Sequence, residues 1–133
     1  MAKVSEINSR HLVEQDLLGF LDQMDVFLDC PAFSGYTTAW QAVHRGIPVV
    51  TLEGDFLRQR LAAGLLRQIG IAEGIAGSRD EYVETAALLA GRCRDPAARA
   101  TQRTSISAAA IKADGNLEAV RATERALMAA VQA

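Results

Sequence analysis

Apolar positions near the start of the chain change from helical spacing to a short continuous run. Four leucines fall on one face of a helix that is predicted to end near Gln23, namely Leu12, Leu17, Leu18 and Leu21. The segment DVFLD that follows, residues 25–29, is rich in strand-forming residues and is predicted to be a buried parallel strand. Pro31 prevents further pairing beyond it. VSEI, residues 4–7, is a possible further strand.

A second unit of helix and strand comes next. Residues 37–45 suit a helix that begins at Thr37 or Thr38, and Gly46 stands where a left-handed closing residue is needed. The run IPVVTL, residues 47–52, predicts a second buried strand, with Pro48 tolerated near its beginning. The strands Val26–Asp29 and Pro48–Leu52 should therefore be parallel neighbours joined by the 37–45 helix. A common core is predicted for Val26, Leu28, Val49, Val50, Leu61, Leu65 and Ile69.

The remainder of the chain is predicted to be helical. One helix is expected over residues 56–68, and further helices should begin after the Ser78 capping box and at the Asp95–Pro96 pair. A terminal helix is supported by Leu117, Val120, Leu127 and Val131. The pattern predicts an α/β fold, a partial Rossmann-like parallel sheet of two to three strands flanked by helices, with a helical C-terminal part. Residues 1–133 would form one domain, and so few strands indicate a fragment of a complete nucleotide-binding domain.

Charge and cysteine content exclude several classes of partner. The formal net charge is −2 and no basic stripe occurs, so neither nucleic acid nor a membrane surface is an expected partner. Cys30 and Cys93 lie in no metal-binding motif, which indicates free thiols, a reducing compartment and no metal site. No apolar stretch is long enough to cross a bilayer. These features predict a cytoplasmic protein.

The turn FSGYTT, residues 33–38, stands where the first strand gives way to a helix. Ligands of open α/β sheets bind beyond the carboxyl ends of the strands, and this turn lies at that edge. Gly35 would let the backbone approach a ligand closely, while Thr37 and Thr38 offer hydroxyls beside the unpaired N–H groups of the helix. Such a turn suits a diphosphate. In the alternative interpretation, Gly35 only makes a turn and one threonine only caps the helix.

Other polar or aromatic residues have structural explanations. His44 near a helix end is favoured by the helix dipole, and Trp40 is predicted to be part of the core. Asp29 is expected to bind loop amides before Pro31, and Glu53 to lie in a solvated turn. Arg60 is interpreted as a structural anchor or a solvated charge.

An ordered set of motifs resembles a known family. The framework consists of D-V-x-L-D, G-x-T-T, G-x-P-x-V-T, G-x-x-x-x-x-R and EY, all within residues 25–91. This segment is similar to the C-terminal donor-binding domain of O-linked N-acetylglucosamine transferases, including SPINDLY-type bacterial relatives. The resemblance covers about half of the chain without an evident gap.

The resemblance implies one half of a GT-B glycosyltransferase. Such a half holds a UDP-sugar, here expected to be UDP-N-acetylglucosamine, for inverting transfer to a Ser or Thr hydroxyl of a protein. The donor is a substrate, so no cofactor is implied. The acceptor surface and the base would come from elsewhere, from an N-terminal GT-B half or a tetratricopeptide segment. No residue of this chain is therefore assigned a catalytic role, and the chain alone is expected to be inactive.

The resemblance also assigns a donor site. Gly35, Thr37 and Thr38 match the family's diphosphate-binding turn, and Tyr36 stands where the family has histidine. Tyrosine can donate one hydrogen bond but cannot become cationic near neutral pH. Gln41 stands at the position of an aspartate that binds the ribose, and its amide could also bind a hydroxyl.

The family's basic donor contacts have no counterpart in this sequence. The two lysines, Lys3 and Lys112, are not in comparable places, and the nearby cations are Arg45, Arg58 and Arg60. These departures leave a second hypothesis open, a noncatalytic interaction or assembly domain on a degenerate Rossmann-like scaffold. A phosphorelay receiver is a poor version of it, because no lysine lies in the relevant half of the chain.

Overall fold

Helices alternate with three short strands in the computed structural model, which describes residues 14–132. The helices are α1 Glu14–Asp22, α2 Tyr36–His44, α3 Leu61–Gln68, α4 Arg79–Arg92, α5 Pro96–Ala113 and α6 Glu118–Gln132. The strands are β1 Phe27–Leu28, β2 Val49–Leu52 and β3 Ile75–Ala76, and a short 3₁₀ helix covers Leu57–Gln59. The predicted strand at residues 4–7 lies outside the described residues.

The three strands form a parallel sheet in the order β1-β2-β3. Phe27 is in register with Val49, and Thr51 is in register with Ile75. Parallel pairing of the first two predicted strands, with α2 as their connection, is therefore confirmed. The strand β3 was not predicted from the sequence, because Ile75 and Ala76 stand between two glycines and belong to no longer apolar run. The predicted fold class, a partial Rossmann-like sheet flanked by helices, is confirmed.

Glycines and capping side chains end and begin the helices where the sequence indicated. Gly46 and Gly70 have positive φ values of 73° and 75° after α2 and α3, as their closing positions require. The hydroxyl of Ser78 accepts a hydrogen bond from the amide of Glu81 at 3.2 Å, and the Asp95 carboxylate accepts one from the amide of Ala97 at 3.1 Å. The predicted starts of α4 and α5 are thus confirmed.

The core lies between the sheet and the helices α1, α2, α3 and α5. Of the residues predicted to share it, Val49, Val50, Leu65 and Ile69 are buried. Val26 and Leu61 are only half-buried. The prediction that Leu28 is buried is wrong, because 56% of its surface is exposed. It borders an open apolar groove between β1 and α4, and no described residue covers it fully.

The predicted single helix over residues 56–68 is also wrong. A 3₁₀ helix comes first, and α3 begins only at Leu61. The amide of Ala62 donates to the hydroxyl of Ser34 at 2.8 Å, which fixes the start of α3 against the loop that precedes α2. The preceding segment is held separately, because the side-chain amide of Gln59 donates to the carbonyl of Pro31 at 3.2 Å.

The terminal helix α6 exists as predicted. Its large apolar side chains are exposed, namely Val120, Leu127, Met128 and Val131, together with Leu117 just before the helix. No helix within residues 14–132 combines the length and apolar character needed to cross a membrane.

Candidate functional site

The carboxyl ends of the three strands and the N-termini of α2, α3 and α4 lie at one edge of the sheet. This follows from the parallel topology, in which each strand leads to the next helix at that edge. Asp29 follows β1, Glu53 follows β2, and Gly77 with Ser78 follows β3. The predicted donor turn therefore lies at the expected edge of the sheet.

Asp29 organises the start of α2. Its side chain is buried, with the whole residue 2% exposed. One carboxylate oxygen accepts a hydrogen bond from the amide of Gly35 at 2.8 Å, and the other accepts one from the hydroxyl of Thr51 at 2.7 Å. Asp29 thus binds a loop amide as predicted, although the amide lies beyond Pro31. These two hydrogen bonds compensate the removal of the carboxylate from water and hold Gly35 against the sheet.

Tyr82 connects α4 to the same place. Its hydroxyl donates to the backbone carbonyl of Asp29 at 2.9 Å. Burial raises the pKa of Tyr82, and the charges of Asp29 and Cys30 raise it further, so the hydroxyl stays protonated as a donor. No role was predicted for Tyr82 from the sequence, although it belongs to the EY pair of the motif framework. Its partner lies 53 residues away, a separation that helical periodicity does not reveal.

The helix α2 begins one residue earlier than predicted. Gly35 is the N-cap residue, with an extended backbone, and no side chain caps the helix. Thr37 and Thr38 therefore lie in the first turn, and the interpretation that one of them serves only as the cap is wrong. Because the amides of the first turn have no helical partners and no capping side chain, they remain available to an anion.

Local packing favours glycine at position 35. A Cβ atom at this position would lie 2.6 Å from the Thr38 hydroxyl oxygen. The Thr38 hydroxyl therefore lies directly over the glycine at the start of the helix. A larger residue would have to displace that hydroxyl, so the absence of a side chain at Gly35 and the position of Thr38 depend on each other.

Three aromatic rings follow one another along α2. The rings of Tyr36 and Trp40 are stacked with centroids 6.1 Å apart, and those of Trp40 and His44 are 4.7 Å apart. Trp40 is half-buried and packs against the core, close to its predicted role. Tyr36 is 45% exposed in the first turn of the helix, and it directly precedes the two threonines in the sequence.

His44 has the structural role that the sequence indicated. Its two ring nitrogens lie 3.0 Å from the Trp40 carbonyl and from the Asp114 carboxylate. Both partners are acceptors, so the imidazolium form, in which both nitrogens donate, satisfies both contacts. Burial works against this charge, but the hydrogen bonds and the charge of Asp114 outweigh it and raise the pKa of His44.

Gln41 is the predicted site residue whose position fits a ligand least well. It is half-buried in α2, and its side-chain oxygen is buried without a hydrogen-bond partner among the described residues. That oxygen could accept from a ligand hydroxyl only after a change of side-chain conformation. As placed, Gln41 could offer only its amide nitrogen.

Glu53 is held in a network of ion pairs, so its predicted place in a solvated turn is wrong. Two nitrogens of Arg67 donate to its two oxygens at 2.8 and 2.5 Å, and the Arg60 Nε donates to one of them at 3.0 Å. The Arg67 hydrogen bonds, with those of Arg60, lower the pKa of Glu53 to about 2 despite its partial burial. Arg60 is thus an anchor, as predicted.

This network should make stability depend on acid pH. A carboxylate with a lowered folded-state pKa contributes stability that is present above its unfolded pKa of about 4.5 and is lost as pH falls towards 2. We expect Glu53→Gln to be less stable than the parent protein by ~1 kcal/mol at pH 7, a small value because both arginines are half-exposed. Urea denaturation at several pH values should show the difference shrinking below pH 4.5.

Asp55→Asn provides the control, since Asp55 is exposed two residues away and makes no ion pair with the described residues. Its stability should follow that of the parent protein across the same pH range. A difference for Glu53→Gln that stays constant down to pH 2 would contradict the ion-pair explanation.

Within residues 14–132, no cluster of three or more His, Cys, Asp or Glu side chains could hold a metal ion. Both described cysteines are free thiols, Cys30 exposed and Cys93 buried.

Comparisons with known proteins agree with this architecture. The model of the family "Glycosyl transferase family 41" matches residues 19–114. A solved structure, a mutant of the Thermobaculum terrenum O-GlcNAc transferase, superposes with a TM-score of 0.68 at 33% identity. The match covers 78% of this chain and 19% of that one.

Curated relatives match the same part of the chain. The probable UDP-N-acetylglucosamine–peptide N-acetylglucosaminyltransferase SPINDLY of Solanum lycopersicum is 33% identical over 79 residues, 59% of this chain and 8% of that protein. The UDP-N-acetylglucosamine–peptide N-acetylglucosaminyltransferase of Caenorhabditis elegans is 38% identical over 65 residues, 49% of this chain and 6% of that protein. The chain thus spans less than a tenth of the length of these relatives. With the family match and the shared fold, these findings show that the chain belongs to glycosyl transferase family 41, as a GT-B glycosyltransferase domain of the O-GlcNAc transferase and SPINDLY type.

Proposed function

We propose that this chain is the UDP-sugar-binding portion of an inverting O-glycosyltransferase that acts on Ser or Thr of proteins. The observation that carries the proposal is the start of α2. There, uncapped amides and the hydroxyls of Thr37 and Thr38 lie at the carboxyl edge of a family 41 sheet. A helix N-terminus of this kind favours an anionic group such as a diphosphate.

The surrounding contacts support a preformed site. Asp29 fixes Gly35, and Tyr82 fixes the backbone of Asp29, so the turn does not have to be ordered when a ligand binds. Preorganisation of this kind lowers the entropic cost of binding. UDP-N-acetylglucosamine is the proposed donor, with Tyr36 contributing one hydroxyl near the diphosphate and Gln41 an amide towards the ribose.

Transfer of the sugar needs chemical groups other than those at the start of α2. An inverting transfer requires a base and an acceptor surface placed against the donor, and we propose that an N-terminal GT-B half, or a tetratricopeptide segment, supplies them. The chain alone would then bind the donor without transferring the sugar. Its role would be to hold the leaving UDP group.

Binding of UDP to the chain tests the proposal. We expect weak association, with a Kd in the micromolar to millimolar range, since exposed helix termini contribute only ~0.3 to 1 kcal/mol. In an NMR titration, the largest amide shifts should occur at Gly35, Thr37, Thr38 and Gln41. Thr37→Val combined with Thr38→Val should attenuate these shifts, because valine keeps the shape of threonine but removes the hydroxyl.

Thr101→Val combined with Thr104→Val is the matched control. Both threonines are exposed on α5, where their hydroxyls donate to carbonyls of the same helix at 3.0 Å. This variant should bind UDP as the parent protein does. If saturating UDP leaves the amides around Gly35 unmoved, the donor site is not functional, and the alternative of a noncatalytic assembly domain is favoured.

A further inference from the structure

Three arginines are near the predicted donor turn in the sequence, and two of them are paired with carboxylates. Arg45 lies 3.1 Å from the Asp22 carboxylate, and Arg60 lies 3.0 Å from that of Glu53. Arg58 makes no ion pair with any carboxylate of residues 14–132. Of these three arginines, only Arg58 therefore carries a positive charge that no carboxylate of the described residues neutralises.

The backbone of Arg58 is fixed against the turn. Its carbonyl accepts a hydrogen bond from the amide of Ser34, the residue before Gly35, at 2.7 Å. The neighbouring Gln59 donates to the carbonyl of Pro31 at 3.2 Å. Two hydrogen bonds therefore hold the 3₁₀ segment beside the loop that leads into α2. The long side chain at position 58 therefore starts from a backbone position beside the loop that leads into that helix.

The guanidinium of Arg58 is also partly oriented. It stacks over the ring of Phe56, with 4.6 Å between its central carbon and the ring centroid. Both side chains are exposed. A stacked guanidinium keeps the N–H groups at its edge free, and these groups match the oxygens of a phosphate in a bidentate geometry. Stacking on Phe56 therefore keeps the cation on the surface and ready to donate.

We propose that Arg58 supplies the cationic contact to the diphosphate of the donor. The proposal rests on the proposed function of the turn and adds a residue to which the motif framework assigns no role. Hydroxyls and helix amides alone leave the two negative charges of a diphosphate without a cation. A charge-assisted, bidentate contact from Arg58 compensates part of that charge.

Titrations of Arg58→Gln with UDP, uridine and inorganic pyrophosphate test the inference. We expect the Kd for UDP to rise about tenfold, or ~1.4 kcal/mol, and the Kd for pyrophosphate to rise by a similar factor. Binding of uridine should not change, since it carries no phosphate. Arg58→Lys should fall between the parent protein and Arg58→Gln, because lysine keeps the charge but loses the bidentate geometry.

Arg94→Gln is the control for the loss of one positive charge. Arg94 is exposed after α4, at the opposite edge of the sheet, and this variant should bind UDP like the parent protein. An unchanged Kd for UDP in Arg58→Gln, or an equal loss in Arg94→Gln, would overturn the inference while leaving the proposed function intact. If the parent protein binds pyrophosphate through Arg58 but shows no binding of UDP, the proposed function fails and the anion contact stands. Binding of neither ligand overturns both.

Discussion

Gly74→Ala should destabilise the fold by about 3 kcal/mol or more, which is the upper range for overpacking in a buried site. Gly74 is buried just before β3, and its carbonyl accepts a hydrogen bond from the amide of Thr51 at 2.9 Å. A Cβ atom here would lie only 1.9 Å from the carbonyl oxygen of Val49. That oxygen belongs to the backbone of the central strand, so it cannot move aside without disturbing both strand pairs. Urea denaturation followed by circular dichroism would measure the loss.

Gly64→Ala is the matched control for this substitution. Gly64 lies in the interior of α3, is exposed, and has no atom within 4 Å of an added Cβ. Because alanine has a higher helix propensity than glycine in a helix interior, this variant should be more stable by ~0.5 to 1 kcal/mol. Equal effects of the two substitutions, or a neutral Gly74→Ala, would show that β2 and β3 are not as closely apposed as the structure has them.

The three strands differ in how far the sequence could predict them. The pairing of β1 with β2 followed from two apolar runs and the helix between them, since a parallel connection requires that order. The strand β3 consists of two small or apolar residues between two glycines, and nothing in that composition separates it from a loop. Leu28 was misplaced because an apolar run predicts burial on both faces, whereas β1 pairs with β2 and leaves Leu28 beside an open groove.

The candidate site shows the same division between local and distant interactions. The turn at Gly35 and the helix that follows it were predictable from neighbouring residues. The hydrogen bond from Thr51 to Asp29 and the ion pair from Arg67 to Glu53 join residues 22 and 14 positions apart. No periodic pattern indicates such partners. The sequence could therefore name the arginines near the turn, but only the structure distinguishes the paired ones from Arg58.

Leu65→Ala should cost about 2 to 5 kcal/mol of unfolding free energy, the usual range for emptying a leucine site in a core. Leu65 is 1% exposed and belongs to the buried cluster that α3 shares with α2 and β2. Its removal would leave a cavity in the buried cluster that also contains Val43 and Val49. The protein is a small domain, so a loss of this size is a large fraction of its total stability.

Leu88→Ala removes the same atoms from a leucine in α4 that is 57% exposed. Its expected effect is within ~0.5 kcal/mol, because a mostly exposed site leaves no cavity and alanine is at least as good a helix former. Comparing urea midpoints of the two variants separates core packing from helix propensity. A Leu65→Ala protein that unfolds at the same urea concentration as Leu88→Ala would mean that α3 does not pack on the sheet. The start of α3, which Ser34 holds beside the donor turn, would then lack rigid support from the core.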